Sequence, residues 1–195
     1  LFRRLQRTHE FSGSVLIAEK GQIVHAGAYG YANLRKREKL SVHSTFQLAS
    51  VSKTITAVAT LQLYENDAID LDAPVKTYLN EFPYKGITVK DLLTHRSGLC
   101  RYMGLGHEYW NKRYYLTSQK VVELFEMYRP GLRFKAGRRF QYNNTNYALL
   151  AAIIERVSGL SFEDYLEQFI FQPLGMHQSA AYNILERRNE FGRAK

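Results

Sequence analysis

The amino-acid sequence predicts an α+β fold, a mostly helical chain that opens with a β-hairpin of the kind that joins an antiparallel sheet. Two observations predict it. Phe11 to Ala18 and Gln22 to Gly27 are strand-like runs on either side of Lys20-Gly21, a tight-turn pair. From Ser50 onward the apolar residues fall in helix-length runs, opened or closed by Ser, Thr, Asp, Asn, Gly and Pro at the positions that cap and stop helices.

Taken in order, Leu1 to His9 reads as a short amphipathic helix with Phe2, Leu5 and His9 to one side. The hairpin follows, and Ala28 to Asn33 either extends its second strand or forms a third. Two strands alone are marginal, so the hairpin needs a sheet to join. Thr45 to Ala49 looks extended. Ile55 to Tyr64 is apolar almost all round, the signature of a buried helix. Asp72-Ala73-Pro74 reads as a helix start, with Asp72 as cap and Pro74 in the first turn. Thr88 and Asp91 have capping-box spacing for a short helix that Gly98 would end. Cys100 to Leu116 shows no period and is rich in aromatics (Tyr102, Tyr109, Trp110, Tyr114, Tyr115). It reads as a long loop whose rings either line a cleft or cover the helices. Thr117 caps a helix to about Tyr128, stopped by Pro130-Gly131. Asn144 or Thr145 caps an apolar helix that ends near Ser158-Gly159, and Ser161 with Asp164 opens another. Glu186 to Lys195 is a polar tail.

Length and composition bound what the chain does. A chain of 195 residues is long enough to bury a core, and suggests one domain or part of a larger one. The divisions expected within it are 1–34, 35–180 and 181–195. With 45% hydrophobic and 23% charged residues the balance is that of a soluble globular protein. No stretch approaches the roughly 20 apolar residues of a membrane span. Leu1-Phe2-Arg3-Arg4-Leu5 lacks the apolar region and cleavage site of a signal peptide, and the chain begins without Met. Cys100 is the single cysteine, which excludes an internal disulfide and a cysteine metal cluster; the 6 histidines include no paired zinc motif. The net charge of +9 gathers at Arg35-Lys36-Arg37 with Lys39, at Arg138-Arg139 and at Arg187-Arg188. These clusters are short, scattered and joined to no nucleic-acid motif, so they read as solvated surface and no nucleic-acid partner is expected.

The chemistry concentrates at Ser50-Val51-Ser52-Lys53. Ser50 stands at the expected start of the Ile55–Tyr64 helix and Lys53 lies one turn on. Residues three apart share a helix face, so hydroxyl and ammonium can meet. A helix start adds free backbone N–H groups and the positive dipole end. A serine there suits an activated nucleophile, and on its own it equally suits a plain N-cap.

The surroundings decide between these. Phe46-Gln47-Leu48-Ala49-Ser50-Val51-Ser52-Lys53-Thr54 closely resembles the nucleophile segment of the serine β-lactamase and penicillin-binding-protein superfamily, in the branch of class C β-lactamases, D,D-peptidases and related esterases. Leu92-Leu93-Thr94-His95-Arg96-Ser97-Gly98-Leu99 resembles a structural segment of that superfamily. Tyr142-Asn143-Asn144 resembles its Tyr-Ser-Asn motif with Asn143 at the middle position, which is not expected to touch the chemistry. Gln172-Pro173-Leu174-Gly175-Met176 resembles a further turn. Lys135-Ala136-Gly137 departs from the usual Pro-Gly turn. The resemblance runs from about Phe11 to Met176.

It implies Ser50 as the nucleophile of an acyl-enzyme, Lys53 as its cation, Tyr142 as a candidate base, and Asn144 as the hydrogen-bonding partner of the substrate side chain or amide. One oxyanion donor would be the Ser50 N–H. It implies no cofactor, and as partner a small-molecule or peptide substrate: a β-lactam, a D-Ala-D-Ala-type peptide or a small ester. It implies a periplasmic or other extracytoplasmic location. His95 is assigned a structural role. The superfamily's third motif, Lys-Thr-Gly or His-x-Gly after the second, is not found, so the sequence reads as the N-terminal strands and helical domain of a longer enzyme with the C-terminal sheet strands missing. The alternative is a binding or regulatory protein that keeps the helical domain without catalysis.

Overall fold

The structure, a computed structural model, describes residues 1–109 and 116–182. The chain divides into two compact units, Leu1–Gln47 and Leu48–Lys195.

The first unit carries the strands. Helix α1 (Phe2–Arg7) precedes β1 (Gly13–Glu19) and β2 (Gln22–Tyr29), which pair antiparallel with Glu19 opposite Gln22. Lys20 and Gly21 form the two-residue connection, both with positive φ (49° and 79°), as the right-handed strand twist requires of such a turn. The register shifts between Ile17 and Ala18, leaving Val24 as the extra residue of a bulge. The stretch after β2 is a separate strand: β3 (Tyr31–Asn33) pairs with β4 (Glu38–Lys39). Phe2 of α1 packs on β2 through Tyr29 and His25, with ring centroids 5.6 and 5.9 Å away. Thr45 to Leu48 forms no strand.

The second unit is helical. It holds α2 (Ser52–Glu65), α3 (Val89–Leu93), α4 (Tyr102–Tyr109), α5 (Ser118–Tyr128), α6 (Asn144–Ser158) and α7 (Phe162–Leu166), which runs on into a π-helical turn, Glu167–Phe171. Helix α6 is the axis, with α2, α3, α5 and α7 all packed on it. Its Leu149, Leu150, Ile153 and Ile154 are fully buried. A helix with an apolar surface this broad is stable only inside a ring of others. Gly159 closes it with φ 73°, the left-handed cap that glycine adopts without cost.

Several elements differ from the sequence expectation. Helix α2 is not buried all round. Thr56, Ala59, Thr60 and Leu63 are its buried residues, while Val58, Leu61 and Tyr64 are exposed. Asp72-Ala73-Pro74 opens no α-helix. Pro74 precedes a single 3-10 turn, Val75–Thr77, because the backbone there is tied sideways: Val75 N–H donates to Ile87 O (2.8 Å) and Val89 N–H to Ala73 O (3.2 Å). The capping box of Thr88 and Asp91 forms as expected, but α3 ends at Leu93 with Thr94 as its C-cap, ahead of Gly98, and His95 as well as Gly98 has a positive φ (56° and 74°). The supposed loop from Cys100 contains α4. Two glycines in its sequence, Gly104 and Gly106, hide the helical pattern. Its first turn is fastened where Tyr102 N–H donates to Thr145 Oγ1, 2.9 Å. Trp110, Tyr114, Tyr115 and the tail from Glu186 lie outside the described residues.

Phe125 of α5 shows how tightly this unit is filled. It is fully buried, with Phe82 and Tyr84 at centroid distances of 6.5 and 6.3 Å. Tyr84 is further held by donating its hydroxyl to Pro130 O. Burial, and secondarily Cys100, raises its phenol to about 12. Phe125→Ala removes the ring that packs on both and should cost about 3–5 kcal/mol, read as a fall in the urea midpoint without a change of slope.

Candidate active site

Ser50 stands just ahead of α2, in a 3-10 turn spanning Ala49–Val51. It is therefore not the N-cap of the helix proper, which begins two residues later. The cause is Ala49, whose φ of 47° folds the chain into a tighter turn, closed by Val51 N–H on Leu48 O at 3.0 Å. A non-glycine residue held in that region costs about 1–3 kcal/mol, and such strain clusters at functional sites. The Ser50 N–H lies ahead of the first bonded N–H of the turn, among the unsatisfied donors that a helix start presents.

Three groups meet at Ser50. The three-residue spacing brings Lys53 Nζ to donate to Ser50 Oγ at 3.3 Å. From 92 positions away in sequence, the Tyr142 hydroxyl donates to the same oxygen at 2.7 Å. The ammonium also lies over two aromatic faces, 5.0 Å from the Tyr142 centroid and 5.8 Å from that of Tyr147, where ring quadrupoles attract a cation. Lys53 is half-buried, while Ser50 and Tyr142 are exposed. A ligand can therefore reach the oxygen, with the cation tucked behind it. The Lys53 ammonium, and after it the Ser50 hydroxyl, hold the Tyr142 phenol below its usual value of 10.0.

Tyr142 owes its place to Asn143 and to the segment after α3. Asn143, not Asn144 or Thr145, is the N-cap of α6: its φ of −151° is extended, and its side chain accepts Thr145 N–H at 3.0 Å. Its amide nitrogen donates to Leu99 O (2.8 Å) and Cys100 O (3.2 Å). Its backbone N–H donates to His95 Nδ1 at 3.3 Å, and Gln141 N–H donates to His95 O at 2.8 Å. Tyr142 is thus gripped by the residues on both sides of it. Gly98 makes room for the return of the chain: with φ 74°, a Cβ there would stand 2.0 Å from Phe134 O.

The structure brings Ser50, Lys53 and Tyr142 together. Asn144 follows as the first residue of α6, exposed, and makes no hydrogen bond to those three. Sequence reasoning missed Asn143, Asn146 and the part His95 plays with them. Asn143 sits between two residues singled out for chemistry, and its side chain, a strong capping type before an apolar run, was the available signal.

The arrangement has relatives. A family model described as Beta-lactamase matches residues 1–183. A penicillin-binding protein of Bacillus subtilis (strain 168) is 38% identical over 185 residues, covering 94% of this chain and 41% of that protein. The teichoic acid D-alanine hydrolase of Staphylococcus aureus (strain MRSA252) is 30% identical over 184 residues, covering 94% of this chain and 44% of the relative. The crystal structure of a penicillin-binding protein from Bacillus halodurans superposes with a TM-score of 0.82 at 30% identity, covering 93% of this chain and 57% of that one. The chain thus spans less than half the length of these two curated relatives. Among the described residues no helix is long and apolar enough to cross a membrane. The helical frame around α6, the small antiparallel sheet ahead of it and a family match through residue 183 lead to one conclusion: this chain belongs to the beta-lactamase family, within the serine β-lactamase and penicillin-binding-protein-like superfamily.

Proposed function

We propose that the protein is a serine hydrolase that works through an acyl-enzyme on Ser50, with Tyr142 as base, Lys53 as the cation that sustains it, and Asn144 as a hydrogen-bonding partner for the substrate amide or side chain. The observation that carries the reading is the convergence of Tyr142 and Lys53 on one serine oxygen, at 2.7 and 3.3 Å. A hydroxyl, a phenol and an ammonium in that contact are the parts that acyl transfer needs, a nucleophile with a base and a cation beside it, and this favours the hydrolase over a protein that only binds.

Along the 2.7 Å line the phenolate form of Tyr142 accepts the Ser50 proton, and Oγ attacks the carbonyl carbon of the substrate. The oxyanion that forms takes a hydrogen bond from the Ser50 N–H. Collapse breaks the bond to the leaving amine or alcohol, which recovers the proton from Tyr142. Water, deprotonated by the same phenolate, then cleaves the acyl–Ser50 ester. Substrates of the β-lactam, D-Ala-D-Ala-peptide and small-ester types all offer such a carbonyl. The teichoic acid D-alanine hydrolase relative supports an acyl donor carrying D-alanine and an extracytoplasmic place of action.

The pH–rate profile tests the role of Lys53. The active base is the phenolate, so kcat/KM rises as pH rises through the phenol's pKa, which Lys53 lowers. Lys53→Met keeps the aliphatic stem and removes the charge. The rising limb should then move to higher pH, toward 10.0, with each unit of displacement costing about tenfold at neutral pH. A limb that stays in place would refute the pairing.

A further inference from the structure

His95 is drawn into the site by its surroundings rather than by its spacing. It is only 9% exposed, and three rings face it: Tyr142 at 4.7 Å, Tyr147 at 5.0 Å and Phe140 at 5.9 Å between centroids. Its Nδ1 lies 3.3 Å from the Asn143 backbone nitrogen and 3.2 Å from Asn146 Nδ2. The first partner is a donor by nature. The second is fixed as a donor too, because the Asn146 oxygen is taken by the Ser97 hydroxyl at 2.6 Å, and Ser97 Oγ in turn accepts Leu99 N–H at 3.2 Å. Two donors aimed at one ring nitrogen require that nitrogen to be unprotonated, so the proton of the neutral ring sits on Nε2. Burial, and after it the charge of Lys53, lowers the pKa of the ring and keeps it neutral.

This matters because of where the donors sit. Asn143 follows Tyr142 directly, and Gln141, which precedes it, donates to the His95 carbonyl. The imidazole also packs on the Tyr142 ring itself, 4.7 Å between centroids and tilted by 45°. One residue therefore fixes the backbone before and after the phenol and one side of its ring. The 2.7 Å contact between Tyr142 and Ser50 spans two distant segments, so its length depends on how firmly the 141–143 stretch is held.

We propose that His95 is a positioning residue for the acyl-transfer reaction: as the Nε2–H tautomer it accepts the Asn143 N–H at Nδ1 and thereby sets the Tyr142 phenol on Ser50. The inference rests on the reading of Tyr142 as base. It assigns His95 no proton transfer to substrate. Asn146 and Ser97 are part of the same device, since they orient the second donor and exclude the other tautomer.

Two variants separate the acceptor from mere filling of space. Glycine and asparagine both tolerate the φ of 56° at this position. His95→Gly removes ring and acceptor. His95→Asn removes the ring but offers a side-chain oxygen in place of Nδ1. His95→Gly should lower kcat by about 10²-fold, the usual penalty for misplacing a catalytic group by about 1 Å, with KM little changed. His95→Asn should recover at least about tenfold of that loss, since one well-made hydrogen bond at a reacting geometry is of that size. Rates are taken per folded molecule, with folded fraction measured by circular dichroism. In the Tyr142→Phe background His95→Gly should cost nothing further. If Tyr142→Phe is as active as the parent, the reading of Tyr142 falls. If Tyr142→Phe is impaired and His95→Gly is equally harmful with or without the phenol, only the positioning inference falls. Nitrogen-15 NMR of the histidine-labelled protein gives an independent answer even where a variant does not fold. A signal pattern of Nε2–H with bare Nδ1 supports the proposal, and a protonated Nδ1 at neutral pH overturns it.

Discussion

Ser50→Ala is expected to lower turnover on the order of 10⁶-fold, the scale of loss when a serine nucleophile is removed. The effect belongs to chemistry and not to folding. Ser50 is exposed, and among the described residues its side chain is bonded to Lys53 and Tyr142. Losing an exposed hydroxyl should change stability by no more than about 0.5 kcal/mol. Thermal melts of parent and variant should therefore overlay while hydrolysis of a short-chain ester, a D-alanyl ester or a chromogenic β-lactam disappears. Residual turnover within tenfold of the parent would mean that another group attacks the carbonyl.

Tyr142→Phe is expected to cost about 10²–10⁴ in the acylation rate, the range for loss of a general base. The ring stays, so its contacts with His95 and the Lys53 ammonium survive. What goes is the hydroxyl proposed as acceptor for the Ser50 proton. Single-turnover kinetics isolate this step from deacylation. The loss should also be pH-dependent. The phenol lies below 10.0 because Lys53 stands beside it, so the parent rate climbs with pH through that lowered value, and the variant profile should lack that limb. A variant that keeps both rate and limb would assign the base to another group.

The part of this legible from sequence was the part set by short-range rules. The Lys20-Gly21 turn, the Thr88–Asp91 capping box, the Thr117 and Ser161 caps and the Gly159 stop each depend on a few neighbouring residues, and each formed as expected. So did the meeting of Ser50 and Lys53, which one helical turn dictates. What escaped depended on partners far along the chain. Asp72 failed as a cap because the backbone beside it binds Ile87 and Val89. Helix α4 was obscured by its own glycines and is fastened through Thr145. The N-cap of α6 lies one or two residues before the expected Asn144 or Thr145 because the Asn143 amide is claimed by Leu99 and Cys100, 44 and 43 positions away. The grip of His95 on Tyr142 likewise joins segments 48 positions apart, which no local pattern reveals.

The claim on which the rest depends is that Ser50 carries the acyl group. Intact-mass spectrometry of the protein after brief reaction with a β-lactam or an activated ester measures this directly, with the site assigned by peptide mapping. One adduct of the acyl mass is expected per chain, on the peptide containing Ser50, and none in Ser50→Ala. An adduct that persists in Ser50→Ala, or that maps to a different residue, would contradict the account.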